Sequence, residues 1–338
     1  MNQARRLHQE AIIIDNTCPL AALDDFHDNY ARGGVTAIAA TVGYGMANIG
    51  TLDFTMKNLG KWFNKFRDEK QNLIHITCVE DIFKAKIQGK LGVIFHFQGT
   101  TPFENDINTV ELFHRLGVRV CQLCYNSKDL VGCGCAVEPD TGLTPFGEKV
   151  INEMNRLGMV IDCAHTGKKT TMDAIAASKS PVIISHGNSR AVCNNLRNCD
   201  DDLLKAISKN GGVIGFNGFP GFVADKPRPT LEDLLDHVDH MAQIAGPENI
   251  CVGMDYFEYQ AGVTDDETAA QVYNFLIDSG SWSPQEYPAP PWFWPTGIEL
   301  PEKLSNLTPG LLSRGFSEDE VKGILGLNIV RIFKEVWK

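Results

Sequence analysis

The chain has 338 residues, a formal net charge of −11, and a composition that is 43% hydrophobic and 22% charged. An excess of acidic side chains disfavours binding to nucleic acid or to an anionic membrane surface, so we expect neither as a partner. The polar N-terminus is not followed by a signal-peptide-like apolar segment, and no stretch is long enough to span a membrane. The ten cysteines complete no zinc-binding spacing, which favours reduced thiols and predicts a cytoplasmic protein.

Short apolar runs alternate with stretches of helical composition along the chain. Eight runs are predicted to be strands, because they are continuous, of strand length and rich in β-branched residues. They cover residues 11–15, 35–42, 92–97, 118–124, 159–163, 181–185, 212–216 and 249–253, with an additional short strand at 73–79. The helices are predicted at 53–70, 105–116, 146–157, 168–178, 200–209 and 231–244.

Eight strands alternating with helices in a chain of this length predict a (β/α)8 TIM barrel, formed as a single domain over residues 1–338. A doubly wound open sheet is the alternative, but the turn at 15–19 lacks the glycines of a dinucleotide site. A loop rich in Pro and Trp at 279–301 follows the last strand, where it can cover the site or contact a second subunit. A helical tail is predicted at 316–338.

Polar side chains follow several predicted strands, and in a barrel the carboxyl ends of all strands meet at one face. His165 and His186 follow the fifth and sixth strands, and Asp255 follows the eighth. Two neutral imidazoles suit a divalent metal ion that activates water, and the aspartate can accept a proton from that water. The alternative for each histidine alone is a strand-end side chain that is satisfied by hydrogen bonds.

Further polar groups are expected at the same face. Arg197 can hold a substrate carboxylate by a bidentate contact, and Tyr125 can donate to a substrate carbonyl. Asn126 adjoins Tyr125 and is a second candidate for binding substrate. Judged by position alone, an arginine bonded to its own loop and a packed tyrosine are the more common outcomes. His96 lies inside its strand and is predicted to be a core or supporting group.

Several segments resemble the membrane (renal) dipeptidase family, a branch of the amidohydrolase superfamily. They occur in the family's order at 116–119, 161–165, 184–186, 196–201, 211–215, 252–255 and 324–328. The resemblance implies a (β/α)8 barrel, usually dimeric, that hydrolyses dipeptides or N-acyl amino acids at a two-zinc centre. It also implies that His165 and His186 bind one metal ion. By the same resemblance, Asp255 is catalytic and Arg197 binds the substrate's terminal carboxylate.

The chain departs from the family at the other metal ion. The family's His-x-Asp pair after the first strand falls at Thr17 and Pro19, and its bridging glutamate falls at Gln98. Its histidine after the fourth strand falls at Tyr125. Glutamine is neutral and a poorer ligand than a carboxylate, so Gln98 is only a weak candidate ligand. We therefore expect one zinc ion, or none.

The sequence thus predicts a dipeptidase-like metallohydrolase with a mononuclear site, which cleaves an amide or peptide bond in a small carboxylate-bearing substrate. We expect it to be a homodimer. The alternative is an altered or inactive family member that binds a small carboxylate ligand without cleaving it. A weaker alternative is a lyase-type reaction that uses Cys18 or Cys163.

Overall fold

A parallel sheet forms the centre of the molecule, and the computed structural model describes residues 3–46 and 50–338. Its strands are β1 Ile14–Cys18, β2 Ala37–Tyr44, β3 Leu73–Ile76, β4 Leu91–Gln98, β5 Val118–Gln122, β6 Val160–Asp162, β7 Val182–Ile183, β8 Ile214–Phe216 and β9 Ile250–Val252. Their order is β7-β6-β5-β4-β2-β1-β9-β8, and β3 pairs with the first half of β4.

The sheet closes on itself between β7 and β8. A single parallel bridge joins Ile184 to Ile214, just beyond β7. The Ile184 amide donates to the Val213 carbonyl at 2.9 Å, and the Gly215 amide donates to the Ile184 carbonyl at 2.8 Å. Eight strands therefore surround one axis, which confirms the predicted (β/α)8 barrel and excludes the open doubly wound sheet.

Helices pack around the barrel and follow most of its strands. They are α1 Gln3–Glu10, α2 His27–Arg32, α3 Leu52–Arg67, α4 Val79–Gln88, α5 Asn108–Arg115, α6 Pro145–Leu157, α7 Lys168–Ala177, α8 Asp201–Lys209, α9 Pro220–Val223, α10 Leu231–Ala245, α11 Asp266–Asp278, α12 Leu307–Ser313, α13 Glu318–Lys322 and α14 Asn328–Val336. Several begin at a capping side chain: Thr144 accepts from the Gly147 amide and Asp200 from the Leu203 amide. In the described ranges, none of these helices combines the length and apolarity that a membrane span needs.

Most of the predicted elements are observed within a few residues of their predicted positions, with two informative exceptions, whereas the sequence did not predict helices α1, α2, α4, α9, α11 and α12. The first strand, predicted at 11–15, is observed at Ile14–Cys18, because polar residues at its end are buried and paired in the sheet. The predicted continuous tail at 316–338 is divided into α13, a wide helical turn at Gly323–Leu327, and α14. Within that turn, a Cβ at Gly326 would lie 2.4 Å from the Ile12 carbonyl oxygen, so the turn packs directly on the backbone leading into β1.

An apolar cluster fills the inside of the barrel. It contains Ile94 of β4 and Val160 of β6. Each lies two residues before a polar side chain, His96 on β4 or Asp162 on β6, so it points to the same face of its strand as that side chain. The His96 and Asp162 side chains are hydrogen-bonded although β5 lies between their strands, so these side chains point toward the barrel axis. The cluster continues to Phe333 of α14, so the tail covers the end of the barrel opposite the carboxyl ends of the strands.

We expect Gly215→Ala to destabilise the barrel at its closure. A Cβ at Gly215 would lie 1.9 Å from the Ser185 carbonyl oxygen, and relieving that overlap costs about 1–3 kcal/mol. The matched control is Gly60→Ala in α3, where a Cβ meets nothing within 4 Å. A helical Gly-to-Ala change at an open position stabilises by about 0.5–1 kcal/mol. Urea unfolding measures both, and a Gly215→Ala variant as stable as the parent would contradict the closure described here.

Candidate active site

The predicted site residues meet at the carboxyl end of the barrel. His165 lies after β6, His186 after β7, and Asp255 after β9. His165 and Asp255 have left-handed backbone conformations, with φ of 60° and 55°. Such conformations are unfavourable for residues other than glycine and persist where the surrounding structure holds them. The barrel therefore fixes the direction of these two side chains at some conformational cost.

The two imidazoles face each other through their Nε2 atoms. His165 Nε2 lies 2.9 Å from His186 Nε2, and the ring planes are inclined at 64°. Both side chains are buried. Whether one Nε2 donates to the other, or both present lone pairs, depends on which ring nitrogens carry a proton.

The hydrogen-bond partners of His186 assign a proton to its Nδ1. The Ser185 hydroxyl donates to Asp162 Oδ2 at 2.6 Å, so its proton is committed to that carboxylate. Ser185 Oγ lies 2.7 Å from His186 Nδ1 and can only accept there. Thr17 Oγ1 lies 2.9 Å from the same nitrogen. Because Nδ1 donates, Nε2 of the neutral ring presents a lone pair.

The partners of His165 lead to the same assignment. Asn126 Nδ2 donates to the Ser281 carbonyl and to the Tyr287 hydroxyl, at 3.0 Å each, which fixes the orientation of the amide. Asn126 Oδ1 therefore accepts from His165 Nδ1 at 2.7 Å. Asn126 thus orients His165, while its predicted contact with substrate stays a prediction. His165 Nε2 also presents a lone pair.

Two lone pairs that converge on one point suit a cation between them. A proton is disfavoured, because burial and the charge of Arg197 hold the pKa of both His165 and His186 well below the usual range. A metal ion suits the pair, since metal-binding histidines commonly donate from their other ring nitrogen to a fixed acceptor. The donor chemistry of the two rings therefore fits one divalent ion.

The geometry limits that site to a small number of protein ligands. Two nitrogens on one tetrahedral zinc ion lie about 3.3 Å apart, so the imidazoles need to separate by only a few tenths of an ångström. Asp255 Oδ2 lies 4.0 Å from His186 Nε2. Within residues 3–46 and 50–338, no group of three or more His, Cys, Asp or Glu side chains is arranged to hold a metal.

The positions that the resemblance assigns to the family's other metal ion have other contacts in this chain. Thr17 donates its hydroxyl to the Asn16 carbonyl at 2.7 Å and contacts His186, while Pro19 offers no ligand atom and lines a cavity. Gln98 donates its amide to the Thr41 hydroxyl at 3.0 Å and also lines the cavity. These residues do not fit a second metal ion. That Gln98 is a weak ligand of the metal ion held by His165 and His186 stays a prediction.

Asp255 and Tyr125 offer complementary proton chemistry beside the imidazoles. Burial raises the pKa of Asp255 to about 7, although Arg197 and the Asn217 amide at 3.2 Å oppose that rise. The Tyr125 ring stacks on His165 with centroids 4.2 Å apart. Burial raises the pKa of Tyr125 to about 12, and its oxygen accepts from Trp282 Nε1 at 3.0 Å. Tyr125 therefore keeps its own hydroxyl proton as a donor.

Arg197 is a buried cation with unused donors. Its Nε and Nη2 atoms have no hydrogen-bond partner in the described residues, and its guanidinium lies 5.2 Å from the centre of the Phe222 ring. These two nitrogens form one edge of the guanidinium fork, the edge that holds a carboxylate by two parallel bonds. A buried, unpaired guanidinium edge is costly without a ligand, so this one is suited to an anion.

Asp162 supports the site from inside the barrel. Its carboxylate accepts from the amides of Ala164 and Ser185 at 2.9 Å each, from the Ser185 hydroxyl at 2.6 Å, and from His96 at 3.1 Å. His96 is fully buried, as expected for a supporting group. The sequence reasoning missed the role of Asp162, although a carboxylate within the apolar run at 159–163 indicated a buried polar partner.

Two cavities meet at His165. The larger, of about 360 Å³, is lined mainly by aromatic and apolar side chains, among them Tyr44, Phe54, Phe219, Phe257, Tyr259, Phe275, Trp282 and Tyr287. The smaller, of about 120 Å³, is polar and includes Arg197. Trp282 and Tyr287 belong to the loop at 279–301, which therefore covers its own barrel.

The cysteines give the lyase alternative no support. All ten are unpaired, and burial raises the pKa of Cys18 and Cys163 well above the usual range of a thiol. The reactive thiolate is therefore disfavoured at both positions. Small apolar packing is the role that their environment supports.

The chain is thus a (β/α)8 barrel that brings two imidazoles, an aspartate and a buried arginine to the carboxyl end of its strands. The model of the membrane dipeptidase family, peptidase family M19, matches residues 1–286. The chain therefore belongs to the membrane dipeptidase family, a family of hydrolases, which confirms the resemblance seen in its motifs.

Two curated relatives carry the name dipeptidase. An uncharacterised dipeptidase of Schizosaccharomyces pombe is 27% identical over 273 residues, covering 78% of this chain and 58% of that protein. Dipeptidase tcpJ of Claviceps purpurea is 28% identical over 260 residues, covering 76% of this chain and 54% of that protein. The chain thus spans little more than half the length of these relatives.

A solved structure shows the same architecture over the whole chain. An amidohydrolase from Pseudomonas aeruginosa is 32% identical, has a TM-score of 0.89, and aligns over 99% of each chain. The barrel, the loop at 279–301 and the tail at 316–338 therefore all have counterparts in a related protein.

We expect Asp162→Asn to destabilise the fold by about 3 kcal/mol or more, because an amide cannot accept from all four donors and leaves buried groups unpaired. The matched control is Asp201→Asn. Asp201 also pairs with a histidine, His240, at 2.8 Å, but at the surface. Exposed pairs contribute about 0–1 kcal/mol. Chemical denaturation compares the two variants, and equal losses would contradict the supporting role assigned to Asp162.

Proposed function

We propose that this chain is a dipeptidase-like metallohydrolase that uses one zinc ion to cleave an amide or peptide bond in a small carboxylate-bearing substrate. The observation that supports this proposal most directly is the convergence of the His165 and His186 lone pairs across 2.9 Å. The unpaired edge of Arg197 and the near-neutral pKa of Asp255, about 7, supply the other groups that hydrolysis needs.

The two cavities indicate how a substrate lies. Its carboxylate binds the free Nε and Nη2 edge of Arg197 in the small polar cavity. The scissile amide then lies beside His165, which both cavities share, and the acyl part occupies the larger aromatic cavity. The fungal relatives are named dipeptidases, which supports a dipeptide or a similar N-acyl amino acid as the substrate.

The residues of the chain perform the proton transfers. Zinc bound by His165 and His186 would supply Lewis acidity at the reacting centre. Asp255 accepts a proton from the attacking water and returns it to the nitrogen of the leaving amine. Tyr125, protonated and free to donate, stabilises the negative charge that develops on the carbonyl oxygen. The homodimer and the cytoplasmic location expected from the sequence stay predictions.

We expect Arg197→Met and Asp255→Asn to separate binding from chemistry. Loss of the guanidinium should raise KM for dipeptides about 100-fold, since a charge-assisted bidentate contact is lost. Loss of the carboxylate should lower kcat about 100-fold or more while KM changes little. Initial rates on dipeptides of both configurations and on N-acyl amino acids measure these effects.

The control for Arg197 is Arg228→Met. Arg228 is exposed and lies 3.9 Å from the centre of the Phe293 ring, so its loss should leave both constants unchanged. If no substrate of either class is cleaved although carboxylates still raise the melting temperature, the chain is the non-hydrolytic binder instead.

Zinc titration tests the reduced metal site. We expect calorimetry to show one zinc ion per chain, with His165→Ala or His186→Ala abolishing its binding, because each removes one of two imidazole ligands. His240→Ala is the matched control, since His240 bonds Asp201 at 2.8 Å at the surface and should leave the stoichiometry unchanged. Two ions per chain would contradict a mononuclear site, and no binding would contradict a zinc site altogether.

A further inference from the structure

The larger cavity contains an acidic side chain that the reaction above does not use. Glu258 lies three residues after Asp255 and lines this cavity. Its Oε2 atom is fully buried and has no hydrogen-bond partner in the described part of the chain. Removing a carboxylate from water without pairing it is costly, so this group is suited to a partner that arrives from outside the chain.

The walls around Glu258 are suited to a positive charge. Tyr44, Phe257, Tyr259 and Trp282 line the same cavity. Phe257 lies edge to face with Tyr259, with centroids 5.2 Å apart, and 5.9 Å from the Trp282 ring. The faces of aromatic rings attract cations, and sites that recognise ammonium groups combine several such rings. A carboxylate with one buried, unpartnered oxygen among aromatic rings therefore favours an ammonium group over a neutral one.

The opposite charges lie in different cavities. Arg197 lines the small cavity of about 120 Å³, and Glu258 lines the large one of about 360 Å³. His165 lines both, so the candidate reaction centre lies where they meet. A ligand that extends past His165 through both cavities places its carboxylate beside Arg197 and its other end beside Glu258.

We propose that Glu258 binds an ammonium group on the acyl side of the substrate, so that this site selects dipeptides with a free amino group over neutral N-acyl amino acids. This inference rests on the proposed binding of the substrate carboxylate by Arg197, and it narrows the two substrate classes to one. Burial raises the pKa of Glu258 to about 7, and a bound ammonium stabilises its ionised form.

A matched pair of ligands tests the inference. Phenylalanyl-glycine and 3-phenylpropanoyl-glycine share the carboxylate, the amide and the ring, and differ only in the amino group. Calorimetry at pH 7 with equimolar zinc uses the full chain carrying Asp255→Asn, so that neither ligand is cleaved. We expect the free-amine ligand to bind at least about tenfold more tightly, as a charge-assisted contact predicts.

Two glutamate variants locate the effect. Glu258→Gln should weaken binding of phenylalanyl-glycine about tenfold and leave the amine-free ligand within about twofold. Glu302→Gln is the matched control: Glu302 also has a buried, unpartnered Oε2 atom, but it does not line the cavity. This variant should leave both affinities unchanged. The ligand comparison with Glu258 intact does not depend on whether either variant folds.

Three outcomes overturn the inference: equal affinities for the two ligands, binding of neither ligand, or a Glu258→Gln variant that folds and loses both equally. Its failure is distinguishable from failure of the proposed hydrolysis. If the chain with Asp255 intact cleaves both ligands with equal kcat/KM, the hydrolase proposal stands and the role of Glu258 is wrong. If the preference for the amine persists without turnover, Glu258 binds as inferred and the hydrolase proposal is wrong.

Discussion

The arrangement of the barrel mouth depends on the Asp162 carboxylate. Its four accepted hydrogen bonds join β6 to His96 of β4 and to the segment after β7. One of them takes the hydroxyl proton of Ser185, which forces His186 to donate from Nδ1. The buried Asp162 carboxylate therefore links the packing of the strands to the direction in which the His186 Nε2 lone pair points.

By the resemblance of its motifs, the chain departs from the family at one half of the proposed site and matches it at the other. Thr17 stands where the family has a metal ligand, and its hydroxyl lies 2.9 Å from His186 Nδ1. Thr17 thus contacts an imidazole that we propose as a metal ligand. Arg197, Asp255 and the two imidazoles are arranged as the proposed binding of a carboxylate and activation of water need. This pattern supports the proposed mononuclear centre.

Much of the fold could be predicted from the sequence, because buried parallel strands are continuous apolar runs and the helices between them have capped ends. The positions of His165 and His186 at strand ends could be predicted from the same apolar runs. The sequence predicts the first strand too early in the chain, because its polar residues Asn16 and Thr17 are buried by contacts from distant strands. The unpaired Glu258 and the orientation of His165 by Asn126 depend on burial and on partners far along the chain, which local patterns do not reveal.

The loop at 279–301 has a consequence beyond covering the mouth. Asn126 donates both hydrogens of its amide to this loop, to the Ser281 carbonyl and the Tyr287 hydroxyl. Those two bonds are what fix Asn126 Oδ1 toward His165. A displacement of the loop would free the amide to rotate, and His165 would lose its assigned tautomer. The position of this loop therefore sets both the cover over the cavity and the direction in which His165 Nε2 presents its lone pair.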